Sequence, residues 1–198
     1  MSDPWGLEGA TVAITGASTG IGAALTDAFL DSGAIVLGIS RSPDKHPTTS
    51  PNYRTYAADL SVRSETEALI DKLKADHERI DVLINNAGHA LRAPSVDYPM
   101  DDWDRLIELN MTAPFLLSRG LAPPMLQRGA GKVIFTASLW SFLGGRSVPA
   151  YTVTKSGIAG MIRALSNEWA PQGVQVNGIA PGYFDTDLNR PAFHYPQF

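Results

Sequence analysis

Tyr151 and Lys155 lie four residues apart in a stretch that reads as a helix, so both side chains fall on one face. A phenol of pKa about 10 is a poor acid or base near neutrality. An ammonium beside it favours the phenolate and brings proton transfer within reach. With six Tyr and five Lys in 198 residues, a Tyr-x-x-x-Lys pair arises by chance on the order of 0.15 times. Alone, the pair also fits an interfacial tyrosine beside a solvated lysine. Ser138 narrows the choice. It ends an apolar run thirteen residues before Tyr151, where its hydroxyl can donate a hydrogen bond to a substrate oxygen.

A second chemical feature is the turn Thr15-Gly16-Ala17-Ser18-Thr19-Gly20-Ile21-Gly22, placed where a strand hands over to a helix. Gly16 can take a positive φ at the strand exit. Gly20 removes a side chain where a pyrophosphate would press on the backbone. Gly22 lets the helix approach the sheet. The free amides of Ser18, Thr19 and Ile21 then face an anion. A tight βα turn without a ligand would look similar, and the spacing is G-x-x-x-G-x-G instead of G-x-G-x-x-G. The next strand ends Ser40-Arg41. A neutral Ser40 and a cationic Arg41 favour a 2′-phosphate over a free ribose hydroxyl, hence NADP(H) over NAD(H). The competing reading of Arg41 is a solvated loop arginine.

The elements that must position these groups alternate along the chain. Strands are predicted at Thr11 to Thr15, Ala34 to Ser40, Tyr53 to Ala58, Ile80 to Ile84, Lys132 to Ala137 and Val174 to Ile179. Helices are predicted at about Ile21 to Ser32, Val62 to His77, Asp102 to Arg119 and Pro149 to Ala170. Pro123-Pro124 should open or kink a further helical piece, and Arg41 to Asn52 should be loop. Strands alternating with helices imply βαβ units: a doubly wound, Rossmann-type α/β fold with a parallel sheet of about six strands and helices on both faces. Unalternating runs such as Val82-Leu83-Ile84 suit strands buried on both sides. No repeat or linker divides residues 1–198, which read as a single dinucleotide-binding domain.

Composition excludes other classes. The net charge of -4 argues against nucleic acid as a partner. With no Cys, and His46, His77, His89 and His194 scattered, no metal site is expected. At 44 % apolar and 18 % charged residues, the chain can bury a core. No apolar run spans a bilayer, and Met1 to Gly9 lacks a leader pattern. A soluble cytoplasmic setting is expected.

Several motifs then converge. Thr15–Gly22, Asp59-Leu60, Asn85-Asn86-Ala87-Gly88, Asn110, Ser138, Tyr151 with Lys155, and Pro181-Gly182 occur in this order from Leu7 to about Asn189. The chain resembles the short-chain dehydrogenase/reductase family in its one-domain form. The resemblance implies hydride transfer between a nicotinamide and a secondary alcohol or ketone. Tyr151 would be the acid-base group, with Ser138 and Lys155 beside it and Asn110 in a proton relay to the lysine. Asp59 and Leu60 would meet the adenine. Asn86, Ala87 and Gly88 would line the adenosine half. Phe184 and Thr186, after Pro181 and Gly182, would contact the nicotinamide carboxamide. Taken singly, Asp59-Leu60 could be a helix N-cap region and Asn-Asn-Ala-Gly a plain turn.

The stretches Ser138 to Tyr151, Ser166 to Ala170 and Ile179 to Tyr183 are similar to the 2-deoxygluconate 3-dehydrogenase and gluconate 5-dehydrogenase branch. That implies a sugar, polyol or sugar acid. Arg146 or Arg92 could meet a carboxylate, or be surface arginines. Trp140 and Tyr183 could wall an apolar pocket, or be core. Arg41 departs from this branch, where NAD use is common, and keeps a 3-oxoacyl reductase in competition. After Asn189, where the family adds a substrate-covering segment, a helix and a seventh strand, Arg190 to Phe198 shows neither a helical nor a strand period. A shortened sheet without the seventh strand is therefore expected, and a catalytically inactive dinucleotide-binding protein remains an alternative. By the resemblance, the helices at 102–119 and 149–170 would build a homodimer or tetramer interface.

Overall fold

Val12, Ala13 and Ile14 are wholly buried at the centre of β1 (Thr11–Thr15), the first strand of a parallel sheet in the computed structural model, which describes residues 6–186. The other strands are β2 (Ile35–Ser40), β3 (Tyr53–Ala57), β4 (Val82–Asn85), β5 (Gly131–Thr136) and β6 (Val174–Ile179). Their order is β3-β2-β1-β4-β5-β6, with every pairing parallel. The chain reverses direction across the sheet between β1 and β4, which opens a crevice at the carboxyl ends of those strands.

Among the described residues five α-helices cover the two faces: α1 (Gly20–Asp31), α2 (Arg63–Asp76), α3 (Met100–Ile107), α4 (Ala113–Arg128) and α5 (Pro149–Trp169). Strand side chains alternate, so each strand feeds both layers. Ala13, Leu37, Leu83, Val133 and Phe135 pack with Leu73 of α2, Leu117 and Met125 of α4, and Ile158 of α5. Val12, Ile14, Val36 and Ile84 face the other way, against Leu25 and Phe29 of α1. This is the doubly wound α/β fold that the sequence pattern implies. Among the described residues the sheet ends at β6; Arg190 to Phe198, with His194, lies outside them.

Three elements depart from the pattern. The predicted helix at Asp102 to Arg119 begins at Met100 and is broken by a π-helical turn at Glu108–Thr112. Pro123 and Pro124 start no new helix; α4 runs through them to Arg128, because Leu121, Ala122 and Met125 are buried on either side. Asn85, expected just past a strand, ends β4 and pairs with Phe135.

Candidate active site

The candidate acid-base group, Tyr151, stands on the first turn of α5. Pro149 opens that helix at a position where its missing N–H costs nothing, and Tyr151 and Lys155 follow on one face. Ser138 caps the short 3-10 turn Leu139–Ser141 at the end of β5 and hydrogen-bonds the Tyr151 phenol. Its Oγ also accepts from the Trp140 amide at 3.3 Å, while Ser141 Oγ accepts from the Ser138 amide at 3.2 Å and donates to the Lys155 carbonyl at 2.7 Å. Ser141 thus ties the serine turn to the helix that carries the tyrosine. The sequence reading missed it; a serine three residues after an N-cap serine was the available signal.

Lys155 is 4 % exposed, with Nζ 5.6 Å from the centre of the Tyr151 ring and 2.6 Å from the Thr136 carbonyl to which it donates. Burial pulls its pKa down to about 8. The Tyr151 phenol is pushed above its ordinary value by burial, which outweighs the hydrogen bond from Ser138. The sequence expectation is a phenol lowered by the ammonium together with the positive nicotinamide of the oxidised cofactor. The difference is physical: the cleft desolvates the phenolate more than the protein's own groups stabilise it.

The glycine turn lies beside this group. Gly16 and Gly20 have φ of +68° and +55°, conformations open to glycine. A Cβ at Gly22 would overlap the Gly16 carbonyl oxygen and approach Asn86 Nδ2 to 2.7 Å. Helix α1 starts at Gly20 with no acidic residue in its first turn, so its free amides face the cleft unopposed. Thr15, which the sequence places at the start of the glycine turn without a role of its own, fastens the facing turn: its Oγ1 accepts from the Asn86 and Ala87 amides, each at 2.9 Å. Asn86 in turn bonds the Thr15 carbonyl through Nδ2 and accepts from Thr136 Oγ1. A hydroxyl ending an otherwise apolar strand was the hint. A cradle that a Cβ would fill, at a helix N-terminus, fits a dinucleotide pyrophosphate.

A cavity of about 380 Å³ runs from Gly16, Thr19, Gly20 and Ile21 past Asn86, Ala87 and Gly88 to Ser138, Tyr151 and Lys155. Pro181, Gly182 and Thr186 border it, as do Arg92, Trp140 and Tyr183. A smaller groove of about 190 Å³ continues it, lined by Ser18, Arg41, Lys45, Asp59 and Leu60. His89, unassigned from sequence, lines both. Burial raises the Asp59 carboxyl, but hydrogen bonds from Ser61 and the charges of Arg41 and Arg105 outweigh it and hold the group below its ordinary value. Gly22 and Asn110 sit behind the lining; Asn110 is 1 % exposed in the π-helical turn. Phe184 and Arg146 are outside the cavity wall. The Arg146 carbonyl accepts from Arg92 Nη1 at 3.5 Å. Among the described residues no cluster of His, Asp or Glu is arranged for a metal, and no helix is long and apolar enough to cross a membrane.

Residues 10–196 match the short chain dehydrogenase family, and the chain belongs to it. It is an NAD(P)-dependent oxidoreductase of CH–OH groups. It is 42 % identical over 195 residues to a 2-dehydro-3-deoxy-D-gluconate 5-dehydrogenase of Pseudoalteromonas atlantica, covering 94 % of this chain and 77 % of that protein. To the gluconate 5-dehydrogenase of Gluconobacter oxydans it is 34 % identical over 197 residues, covering 95 % and 77 %. A solved gluconate 5-dehydrogenase from Burkholderia cenocepacia, in complex with NADP and tartrate, superposes with a TM-score of 0.87 at 32 % identity, over 96 % of this chain and 78 % of that one.

Proposed function

We propose that this chain interconverts a secondary alcohol and a ketone on a sugar acid, with NADP(H) preferred to NAD(H). The observation that carries the reading is the convergence of Ser138, Tyr151 and Lys155 on the wall of the cavity that also holds the glycine turn. Sugar-acid names among the relatives and the NADP in the Burkholderia enzyme support the substrate class and cofactor.

When bound, the nicotinamide supplies or accepts the hydride at the substrate carbon. In reduction, Tyr151 gives its proton to the forming alkoxide, and Ser138 donates a hydrogen bond to the same oxygen. In oxidation, Tyr151 takes the hydroxyl proton. A Lys155 ammonium, charged below about pH 8, holds the phenolate through its positive charge. Arg41 supports the cofactor preference, since a guanidinium in the groove suits a 2′-phosphate. Arg92, on the cavity wall, supports a carboxylate-bearing substrate. Exposed Phe115 on α4 and Val153 on α5, at 41 % and 45 %, support homo-oligomer contacts through these helices.

The test is turnover of purified chain with NADPH or NADH and 5-ketogluconate, and with a 3-oxoacyl thioester for comparison. NADPH consumption with the keto acid supports the reading. Reduction of the thioester alone refutes the sugar-acid assignment, and no turnover of either by folded, NADPH-binding protein refutes the activity.

A further inference from the structure

Both ends of the Asn110 amide are engaged. Its Oδ1 accepts from the His89 amide at 2.9 Å, and its Nδ2 donates to the His89 carbonyl at 2.8 Å and to Thr154 Oγ1 at 3.3 Å. One side chain therefore clamps the main chain of residue 89 to α5. A Cβ on Gly88 would lie 3.3 Å from Asn110 Oδ1 and 3.7 Å from Lys155 Nζ, so clamp, cleft wall and lysine are packed together.

The aim of that amide depends on helix phase. An α-helix turns 3.6 residues per revolution, so one residue more or less swings a side chain by about 100°. Asn110 lies inside the π-helical turn, where the Ala113 amide reaches back five residues to the Glu108 carbonyl. Four residues after Asn110 comes Pro114, buried inside the helical run. In a regular α-helix a proline ring collides with the carbonyl four residues earlier, and it offers that carbonyl no N–H. Here that carbonyl belongs to Asn110. A π-turn at this point moves it aside.

We infer that Pro114 imposes the π-helical turn and so aims Asn110 at the turn between β4 and residue 89, making Pro114 a positioning residue for the cofactor cleft. A second set of contacts carries the same linkage from the opposite end. The Pro114 carbonyl accepts from Ser118 Oγ at 2.7 Å, and Ser118 Oγ accepts from Asn85 Nδ2 at 3.1 Å. The turn that runs from Asn85 to His89 is thus gripped at both ends by one helical segment, with Pro114 between the two grips.

The test is Pro114→Ala, with Pro114→Val to keep more of the buried volume. Both restore the amide and remove the ring. The readout is hydrogen exchange at the His89 amide, followed without cofactor, then KM for NADPH and kcat. Faster His89 exchange by tenfold or more and a KM for NADPH raised at least tenfold are expected, whether or not loss of the buried ring lowers the melting temperature. A merely structural role would lower the melting temperature and leave His89 protected. Unchanged exchange with KM and kcat within twofold overturns the inference, as does unfolding of both variants, which would assign the proline to the core. The effect on KM rests on the cleft being a dinucleotide site; His89 exchange does not, so failure of that reading shows separately, as no NADPH binding by the parent chain.

Discussion

The Lys155 ammonium is fixed to the Thr136 carbonyl at 2.6 Å inside a site that exposes 4 % of the lysine. One hydrogen bond does not offset the desolvation of a buried cation, so its pKa falls from 10.5 to about 8. Between those two values the unfolded chain holds more protons than the native one. Stability from this group therefore rises with pH across that window, and the cost is full below about pH 8. A shift of this size corresponds to on the order of 3 kcal/mol. Lys155→Met should raise the melting temperature at about pH 7 and flatten its rise toward alkaline pH, while turnover is lost. Thermal melts across that range check it, and a variant less stable at neutral pH would contradict the assignment.

Tyr151 is held the other way. Burial raises its pKa, so the phenol is the resting form at neutral pH. Oxidation needs the phenolate, and its rate should climb with pH; reduction needs the phenol and should not. Tyr151→Phe removes the proton donor while leaving the ring packed. Turnover in both directions should fall about 10²–10⁴-fold, with NADPH affinity within twofold by calorimetric titration. Retained turnover would remove Tyr151 from the chemistry.

Much of this site is legible in the sequence because its residues report on backbone needs. Gly16, Gly20 and Gly22 mark positive φ and a close approach, and Tyr151 with Lys155 marks one helix face. What stayed hidden depends on contacts between distant segments. Thr15 holds a turn 71 residues later, Ser141 ties a serine turn to a helix, and Asn110 holds the main chain of His89, which lines the cleft. Local spacing can mark Ser141 as a cap residue and Thr15 as a strand-end hydroxyl, but it does not name their distant partners. The proline pair at 123–124 starts no new helix for the same reason. Burial of its neighbours outweighs the loss of two amides, a comparison made only when α4 meets the sheet. Arg146 shows the limit for substrate residues: in sequence its charge makes it equivalent to Arg92, and the fold puts Arg92, not Arg146, on the cavity wall.

Arg41 lines the smaller groove with Lys45 and lies close enough to Asp59 to lower its carboxyl. A guanidinium bonded to a phosphate contributes about 1.5–3 kcal/mol. Arg41→Ala should therefore weaken NADPH at least tenfold and leave NADH nearly unchanged, with the NADPH loss shrinking as salt is added. Parallel titrations with the two nucleotides decide it, and equal losses for both would refute a 2′-phosphate at Arg41.

Gly22 tests whether the glycine turn is shaped by packing or by ligand. Its missing Cβ leaves room for the Gly16 carbonyl, a backbone atom that cannot rotate away, and for Asn86 Nδ2, which braces the Thr15 carbonyl at 3.1 Å. Gly22→Ala must therefore push α1 off the sheet or break the Asn86 brace, and either should cost about 2–4 kcal/mol. Gly144 is the control: a Cβ there meets nothing within 4 Å, so Gly144→Ala should stay within about 0.5 kcal/mol. Denaturant melts of both variants, with NADPH titration of whatever remains folded, separate the two roles. A stable Gly22→Ala chain that no longer binds NADPH would make the position a ligand contact and move the packing constraint elsewhere. Loss of stability and binding together is the expected result, because the carbonyl that Gly22 accommodates belongs to the same turn that must present its amides to the pyrophosphate.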